Sequence, residues 1–189
     1  AELVDYNKKS AHVRVTKTWN VNPVTPYLYW FVPVAERGVF ETALSHLTVL
    51  GIHTIYPVIT EKSKRKWGTE KDFDRAHRVM VAAAEQSKQF AIPAITQPYT
   101  IENMPQIATY RFIGDPTGSP ISAYTSYFSQ VSNETSFAGI IGPEGGFTNE
   151  ELAYLDTLGY DRLRLIPHIL RTEDAVFLGA GLIRSLLTD

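Results

Sequence analysis

The chain has 189 residues, of which 44% are hydrophobic, 12% aromatic and 20% charged, and its formal net charge is −2. This length predicts one domain or one domain plus a remnant, and ordinary apolar content with so little net charge excludes general disorder. The chain contains no cysteine, which excludes disulfides, thiol catalysis and cysteine-based metal sites. It shows neither a transmembrane stretch nor a signal peptide, so we expect a cytoplasmic protein.

Charge is unevenly divided along the chain. Residues 1–100 carry 13 Lys and Arg against 9 Asp and Glu, whereas residues 101–189 carry 5 against 11. The basic half leaves room for an anionic partner without requiring one. Its most local feature is a basic segment of four cations that precedes Trp67: Lys62, Lys64, Arg65 and Lys66. A solvated loop is the usual role of such a run, and the alternative is contact with a phosphate backbone while Trp67 stacks on a base.

The first half of the chain alternates between strand and helix patterns. Strand, helix and strand in this order predict a right-handed parallel crossover. The predicted elements are an edge strand around 12–15, an apolar strand at 28–34, a helix at 40–50 that Gly51 ends, a second apolar strand at 53–59 and an amphipathic helix at 70–89.

The second half continues the same alternation, and the whole chain is therefore predicted to be α/β, with a mostly parallel sheet and helices on both faces. The final helix is apolar on more than one side, which fits either deep burial or a homodimer interface. The predicted elements are strands at 108–113, 137–141 and 163–166, a helix in the stretch between the first two strands, a helix that Thr148 and Glu151 begin with a capping box, and a final helix that Thr172 caps.

Two irregular segments near the C-terminus are the sharpest candidates for a site. Residues 140–147, IIGPEGGF, run from a strand into a glycine-dense turn. Their spacing matches neither the triphosphate loop nor the dinucleotide fingerprint, and alone they fit an ordinary tight turn equally well. Residues 163–175, LRLIPHILRTEDA, follow about twenty positions later. Both segments lie at the carboxyl ends of parallel strands, which predicts an apolar cleft with backbone donors and acceptors, suited to an adenine-containing cofactor.

Other kinds of chemistry lack their residues. The five histidines do not share a close ligand spacing with a carboxylate, so no metal site is predicted. The sequence contains no nucleophile elbow of the G-x-S-x-G type, so serine hydrolase chemistry is not supported.

The motifs IGPEGGF and ILRTE, with the intervening NEELAYLDTLGY, resemble the C-terminal half of the RsmE-type (uracil-N3) methyltransferases of small-subunit ribosomal RNA, which belong to the SPOUT class. Looser matches upstream extend the resemblance over residues 27–189. The resemblance implies a deep C-terminal trefoil knot that holds S-adenosylmethionine, a homodimer and a ribosomal RNA partner. It also implies that residues 1–22 are a remnant of a PUA-like β-domain or a linker, and that residues 23–189 form the SPOUT domain.

The same resemblance assigns roles by position. Arg171 and Glu173 would face the reacting uracil, where Arg171 would stabilise the developing anion and Glu173 would assist proton removal; the alternative for both is helix N-terminal chemistry. The basic segment would bind RNA. The cofactor pocket would be lined by Ile141, Gly142, Pro143, Glu144, Gly145, Gly146, Leu165, Ile166, His168, Ile169 and Leu170.

Several positions depart from the family pattern. Ile166 stands where the family usually has a glycine, which predicts crowding of the cofactor, and Asp174 replaces a usual threonine. Glu36 and Gln89 replace usual cations, and Val49 replaces a glutamate. We therefore keep three alternatives: a catalytically weakened module that binds S-adenosylmethionine or RNA, a methyltransferase acting on another RNA such as transfer RNA, and a purely structural role.

Overall fold

The computed structural model describes residues 1–63, 65–129, 131–132 and 134–187. Its elements, in chain order, are β1 (Glu2–Tyr6), β2 (Ala11–Arg14), β3 (Tyr27–Pro33), α1 (Arg37–Val49), β4 (Thr54–Ile59), α2 (Glu70–Ser87), β5 (Ala94–Ile95), β6 (Tyr99–Thr100), a 3₁₀ turn (Ile101–Asn103), β7 (Tyr110–Pro120), a second 3₁₀ turn (Ile121–Tyr124), α3 (Thr125–Phe128), β8 (Ser136–Ile140), α4 (Asn149–Thr157), β9 (Asp161–Arg164) and α5 (Thr172–Ser185).

Seven strands among the described residues form one sheet, and every pairing in it is parallel. The strand order is β5-β4-β3-β8-β7-β9, and β6 also pairs with β4. Strands β3 and β4, with α1 between them, form the predicted parallel crossover. The apolar run in β3 lies between β4 and β8, where both of its faces are covered. The predicted parallel sheet is confirmed.

Helices cover both faces of this sheet, as predicted. Side chains of β3 alternate between two cores because successive residues point to opposite faces. Trp30 packs with residues of α1, α2 and α5 in one core, whereas Phe31 packs with Leu155 of α4 in the other. Both of these β3 side chains are almost completely buried. The two cores hold the C-terminal ends of β7, β8 and β9 in fixed positions, and the cavity described below forms there.

The C-terminal helix is anchored by a buried arginine. The Arg184 guanidinium donates to the carbonyls of Leu50, Gly51 and Pro26 at 3.2, 2.9 and 2.9 Å. Burial lowers the pKa of Arg184 to about 10. Gly51 follows α1 with a φ of +65°, which agrees with its predicted role in ending that helix. Arg184 therefore joins α5 to the C-terminal end of α1.

Exposed apolar residues occur at several places on the surface, and two of these places bear on the predicted homodimer and domain division. On α5, Phe177 is 45% exposed although Val176 and Ala180 on the same helix are fully buried. Strands β1 and β2 pair with each other in a separate antiparallel sheet whose residues are all exposed. The division at residue 22 and the homodimer both stay predictions. No helix in the described ranges is long and apolar enough to cross a membrane.

Three local predictions were wrong. The last strand is β9 at residues 161–164 rather than 163–166, because Leu165 and Ile166 turn away from the sheet. The strand predicted at 108–113 is β7, which continues to Pro120 through a register irregularity after Gly114. Thr172 is the first residue of α5 rather than its cap, because Arg171 holds the cap position.

Candidate functional site

A cavity of about 480 Å³ lies beside the C-terminal ends of β7, β8 and β9. This volume is in the range of small-molecule sites. Both irregular segments predicted from the sequence contribute to it. Ten of the eleven predicted cofactor residues line the cavity: Ile141, Gly142, Pro143, Glu144, Gly146, Leu165, Ile166, His168, Ile169 and Leu170.

The first wall is the glycine-rich loop, residues 142–147, which connects β8 to α4. The Gly146 amide donates to the Pro143 carbonyl at 2.7 Å and closes the turn. Gly146 has a φ of +66°, and a Cβ there would meet no atom within 4 Å. The backbone conformation, not lack of space, therefore requires glycine at this position. The predicted capping box is confirmed, since the Glu151 amide donates to Thr148 Oγ1 at 3.2 Å and the Thr148 amide to Glu151 Oε2 at 2.8 Å.

The second wall is the segment from Leu165 to Leu170, just before α5. Thr172 fastens it to the first wall, because its hydroxyl donates to the Gly142 carbonyl at 3.2 Å. Ile166 is half-buried in the wall, whereas Ile169 is 91% exposed. The two segments thus face one cavity and are joined directly across it.

A third wall was missed by the sequence analysis. Gly114, Asp115 and Pro116 line the cavity from the irregular part of β7. Asp115 is held on both sides: Oδ1 accepts from the Thr117 amide at 2.7 Å, and Oδ2 accepts from Arg162 of β9 at 3.1 Å. The Asp-Pro-Thr-Gly sequence signals a turn, but only the pairing of β7 with β9 places that turn at the cavity. Four further lining residues were also not predicted: Phe147, Leu152, Thr172 and Ala175.

The two candidate catalytic residues occupy different positions. Arg171 is exposed and lines the cavity. Glu173 lies in the first turn of α5 and is not among the lining residues. Its Oε2 atom is buried and has no hydrogen-bond partner within the described part of the chain. The structure therefore places Arg171 at the cavity. Glu173 lies outside the cavity lining, with one carboxylate oxygen that accepts no hydrogen bond from the described residues.

Gly145 is the predicted cofactor residue that does not line the cavity. It is exposed on the opposite side of the glycine-rich loop, where its carbonyl accepts a hydrogen bond from Lys62 Nζ at 2.7 Å. A Cβ on Gly145 would lie 3.0 Å from the Lys62 side chain. The loop therefore has one side toward the cavity and one side toward the basic segment.

The basic segment is only partly free to meet a partner. Lys62 bonds to the glycine-rich loop, and Arg65 pairs with Asp72 at 2.8 Å. Lys66 is exposed and has neither an ion pair nor a hydrogen bond among the residues that the structure describes, whereas Lys64 lies outside them. Of the described cations in the segment, Lys66 remains available to an external anion.

The alternative in which Trp67 stacks on an external base does not hold in the structure. Its side chain is only 7% exposed. The ring packs against Phe40 of α1 and Phe73 of α2, with centroid distances of 5.4 and 4.6 Å. Burial of so large an apolar ring stabilises the fold, so the local sequence was misleading about which side of the segment Trp67 faces.

The described residues contain no group of three or more His, Asp or Glu side chains arranged to hold a metal ion. His168, the histidine nearest to the predicted pocket, lines the cavity and is exposed. The site therefore offers backbone groups, apolar walls and the polar side chains of Arg171, His168, Asp115 and Glu144.

Comparison with known proteins places this cavity in context. A family model described as "RNA methyltransferase domain" matches residues 22–184. The ribosomal RNA small subunit methyltransferase E of Aquifex aeolicus is 27% identical over 151 residues, which are 79% of this chain and 63% of that protein. The protein of the same name from Rickettsia conorii is 26% identical over 188 residues, 98% of this chain and 75% of that protein. The chain thus spans about two thirds to three quarters of these relatives.

Solved structures give the same result for the fold. A Legionella pneumophila structure, described as a putative methyltransferase in complex with the bound cofactor SAM, has a TM-score of 0.80 at 26% identity, covering 97% of this chain and 76% of that one. A ribosomal RNA small subunit methyltransferase E from Neisseria gonorrhoeae, bound to S-adenosyl methionine, has a TM-score of 0.72 at 21% identity, covering 85% and 66%. These matches confirm the resemblance inferred from the two C-terminal motifs.

Proposed function

We propose that this chain, which belongs to the RNA methyltransferase domain family, transfers the methyl group of S-adenosylmethionine to N3 of a uridine in small-subunit ribosomal RNA. The observation that carries this proposal is the cavity that the segments 142–147 and 165–170 line together. The names of the two relatives support ribosomal RNA as the substrate, and the cofactor named in the two solved structures supports the methyl donor.

The cavity fits the proposed cofactor chemically. Its walls include the apolar side chains of Ile141, Leu165 and Leu170, which suit an adenine ring. Gly142 and Gly146 expose backbone along the same wall, so polar atoms of a ligand can approach main-chain groups closely. S-adenosylmethionine would supply an electrophilic methyl group. The chain itself would bind and orient the reactants, which is how positioning accelerates a displacement.

Arg171 is the residue we propose to act on the uridine. Methylation at N3 requires loss of the N3 proton, and negative charge develops on the base as that proton leaves. Arg171 lies at the cavity, and its guanidinium can stabilise this charge by donating hydrogen bonds to the base.

Glu173 is the proposed proton acceptor, directly or through water. One carboxylate oxygen has no partner among the described residues, so its capacity to accept a proton or a hydrogen bond is not consumed by the fold. Its place in the first turn of α5 also suits a negative charge, because the helix dipole favours anions there. Glu173→Gln removes both the proton acceptor and the charge. The first loss lowers the rate of methyl transfer, whereas the second lowers the melting temperature, so the two measurements separate the roles.

Three further parts of the proposal concern architecture and location. The C-terminal segment is proposed to form the trefoil knot of the SPOUT class, which the resemblance of the motifs IGPEGGF and ILRTE to that class supports. A homodimer is proposed through the α5 face that leaves Phe177 exposed. The cytoplasm follows as the proposed location because ribosomal RNA is the proposed substrate.

One observation favours a second candidate, a module that binds S-adenosylmethionine or RNA without efficient transfer. Ile166 lines the cavity wall at the position where the family that the motifs resemble usually has a glycine. If its side chain crowds the methyl donor, Ile166→Gly increases the rate of transfer. If Ile166 is tolerated, the same change leaves the rate unaltered or lowers it through loss of packing.

The proposed function is tested in two steps. The first is calorimetric titration with S-adenosylmethionine and S-adenosylhomocysteine, where we expect a Kd in the micromolar range, about −8 kcal/mol. The second is incubation with small ribosomal subunits and isotope-labelled S-adenosylmethionine, followed by mass spectrometry of the nucleosides. N3-methyluridine is the expected product. Another methylated nucleoside would refute the uracil-N3 assignment, and cofactor binding without any transfer would favour the second candidate.

A further inference from the structure

Lys62 faces the glycine-rich loop from outside the cavity. Its Nζ donates to the Gly145 carbonyl at 2.7 Å and lies 3.4 Å from the Phe147 carbonyl oxygen. The contact spans 83 positions of sequence. Neither carbonyl accepts from the helix that follows, since α4 begins only at Asn149. The lysine therefore gives carbonyl groups of a loop a charged donor, the stronger class of protein hydrogen bond.

The turn that carries Lys62 is itself fixed. After β4, the Ser63 amide donates to the Thr60 carbonyl and the Thr60 amide donates to Ser63 Oγ, both at 3.0 Å. The Glu61 amide donates to Glu151 Oε1 at 2.8 Å. Lys62 thus projects from a turn that is bonded both internally and to α4.

Glu151 connects this turn to the far end of the glycine-rich loop. The residue is 8% exposed, and its other carboxylate oxygen accepts from the Thr148 amide at 2.8 Å. The start of α4 and the turn after β4 are consequently held by one carboxylate. Lys62 then bonds to the loop that precedes α4. Glu151 therefore anchors both the turn that carries Lys62 and the end of the loop that Lys62 contacts.

The loop needs such support because of its composition. Three of its six residues are glycine, and glycine loses more conformational freedom on ordering than any other residue. Among the described residues, Thr172 bonds to Gly142 on the side toward the cavity, and the bond from Gly146 to Pro143 closes the turn within the loop. Lys62 holds the opposite side, at Gly145 and Phe147. Affinity for a ligand falls in proportion to the fraction of molecules whose site is competent.

We propose that Lys62 is a positioning residue that holds the glycine-rich loop in its ligand-binding conformation, with Glu151 as its anchor, rather than a contact to RNA phosphate. This inference rests on the proposed function for the identity of the ligand. Lys62, the first cation of the basic segment, thereby has a role that its charge alone does not indicate. The ammonium acts on the cofactor site from behind, and it touches neither cofactor nor RNA.

The experiment compares three variants of the full chain. Lys62→Met keeps an unbranched stem and removes the ammonium, Lys62→Arg keeps a charged donor, and Lys66→Met removes the neighbouring free cation as the matched control. S-adenosylhomocysteine affinity is measured by calorimetry, and hydrogen exchange of residues 142–147 is measured in the free protein. Melting temperature confirms that each variant is folded.

We expect Lys62→Met to raise the Kd for S-adenosylhomocysteine about three- to tenfold and to accelerate exchange in the loop, with little change in melting temperature. Lys62→Arg should recover most of the affinity, and Lys66→Met should change neither quantity. Unchanged affinity and exchange in Lys62→Met would overturn the proposal. So would unchanged affinity with a reduced salt dependence of RNA binding, because that result makes Lys62 a phosphate contact.

Failure of the proposed function gives a different pattern. If the wild-type protein does not bind S-adenosylhomocysteine, the assignment of the cofactor falls, and the positioning role is decided by exchange alone. Faster exchange of residues 142–147 in Lys62→Met would then still support the role of Lys62, and unchanged exchange would refute it.

Discussion

The glycine-rich loop and the basic segment meet where Lys62 bonds to the Gly145 and Phe147 carbonyls, yet the sequence predicts the roles of their residues with very different success. In the loop, every predicted residue except Gly145 lines the cavity. In the basic segment, Lys62 and Arg65 are bonded within the protein, and the adjacent Trp67 is buried. Both are irregular segments that follow central strands of the same sheet.

The difference lies in what each function requires of the chain. A backbone-lined pocket depends on where the main chain can bend, and glycine and proline encode that locally. A surface that binds a polyanion depends on which charges remain unpaired after folding, and partners distant in sequence decide that. Asp72 neutralises Arg65 from the next helix, and Gly145 engages Lys62 from far along the chain. Counting cations in a segment therefore overestimates the charge it presents.

The largest expected effect is on the rate of methyl transfer, with little effect on the affinity for the cofactor. Arg171→Ala should lower the rate of methyl transfer about 100-fold, because one donor to a developing anion contributes about this much. S-adenosylhomocysteine affinity should change less than about twofold, since the guanidinium acts on the base. Rates are measured with labelled cofactor and small ribosomal subunits.

Arg164→Ala is the matched control for that experiment. Arg164 is exposed at the end of β9 and is not one of the cavity-lining residues. Its removal should leave the rate near that of the wild type. Equal losses in both variants would assign the effect to general charge, and full activity of Arg171→Ala would remove the residue from the mechanism.

The second effect tests whether the loop conformation determines binding. Gly146→Val places a β-branched residue at a φ of +66°, which costs about 1–2 kcal/mol although space is available. We expect about a tenfold weaker S-adenosylhomocysteine affinity. Gly146→Asn should retain most of the affinity, because asparagine tolerates this conformation. Equal losses in the two variants would show that the side chain, and not the backbone, disturbs the site.

Much of this architecture was predictable from local patterns, for physical reasons. The apolar runs of β3 and β4 and the capping box at Thr148 depend on near neighbours, and the structure contains all three. The wall at Asp115 depends on how β7 pairs with β9, and nothing within β7 encodes that pairing. The bond from the Thr172 hydroxyl to the Gly142 carbonyl is unpredictable for a similar reason, because its two partners are 30 residues apart.

The third effect distinguishes the free cation of the basic segment, Lys66, from the ion-paired Arg65. Lys66→Ala should reduce the salt slope of RNA binding by about one, because its ammonium is the free one among the described cations of the segment. Arg65→Ala should leave that slope nearly unchanged and destabilise the protein by about 0.2–1 kcal/mol, as expected for a partly exposed ion pair. Filter binding over a salt series and thermal unfolding measure the two quantities. If Arg65→Ala reduced the salt slope of RNA binding and Lys66→Ala did not, RNA would break the Arg65–Asp72 pair on binding.

The smallest effect concerns the pH dependence of that same pair. Burial acts to raise the pKa of Asp72, but hydrogen bonds from Thr69 and Gly68, with the charge of Arg65, outweigh it and leave the pKa below its ordinary value of 3.8. A carboxyl with a lowered pKa in the folded state binds fewer protons there than in the unfolded state. Its contribution to stability is therefore complete above the unfolded pKa and is lost as pH falls through the folded pKa.

Asp72→Asn removes this titration and keeps the size of the side chain. The free energy of unfolding, measured by denaturant titration at a series of pH values, should differ most between wild type and variant above about pH 5. The difference should shrink steadily as the pH falls below about 4. A difference independent of pH would mean that the Asp72 carboxylate stabilises the start of α2 by its shape and hydrogen bonds alone. The charge of Arg65 would then add nothing to the free energy of unfolding through its pair with Asp72. Arg65 and Lys66 would consequently differ less in their availability to an external anion than their contacts indicate.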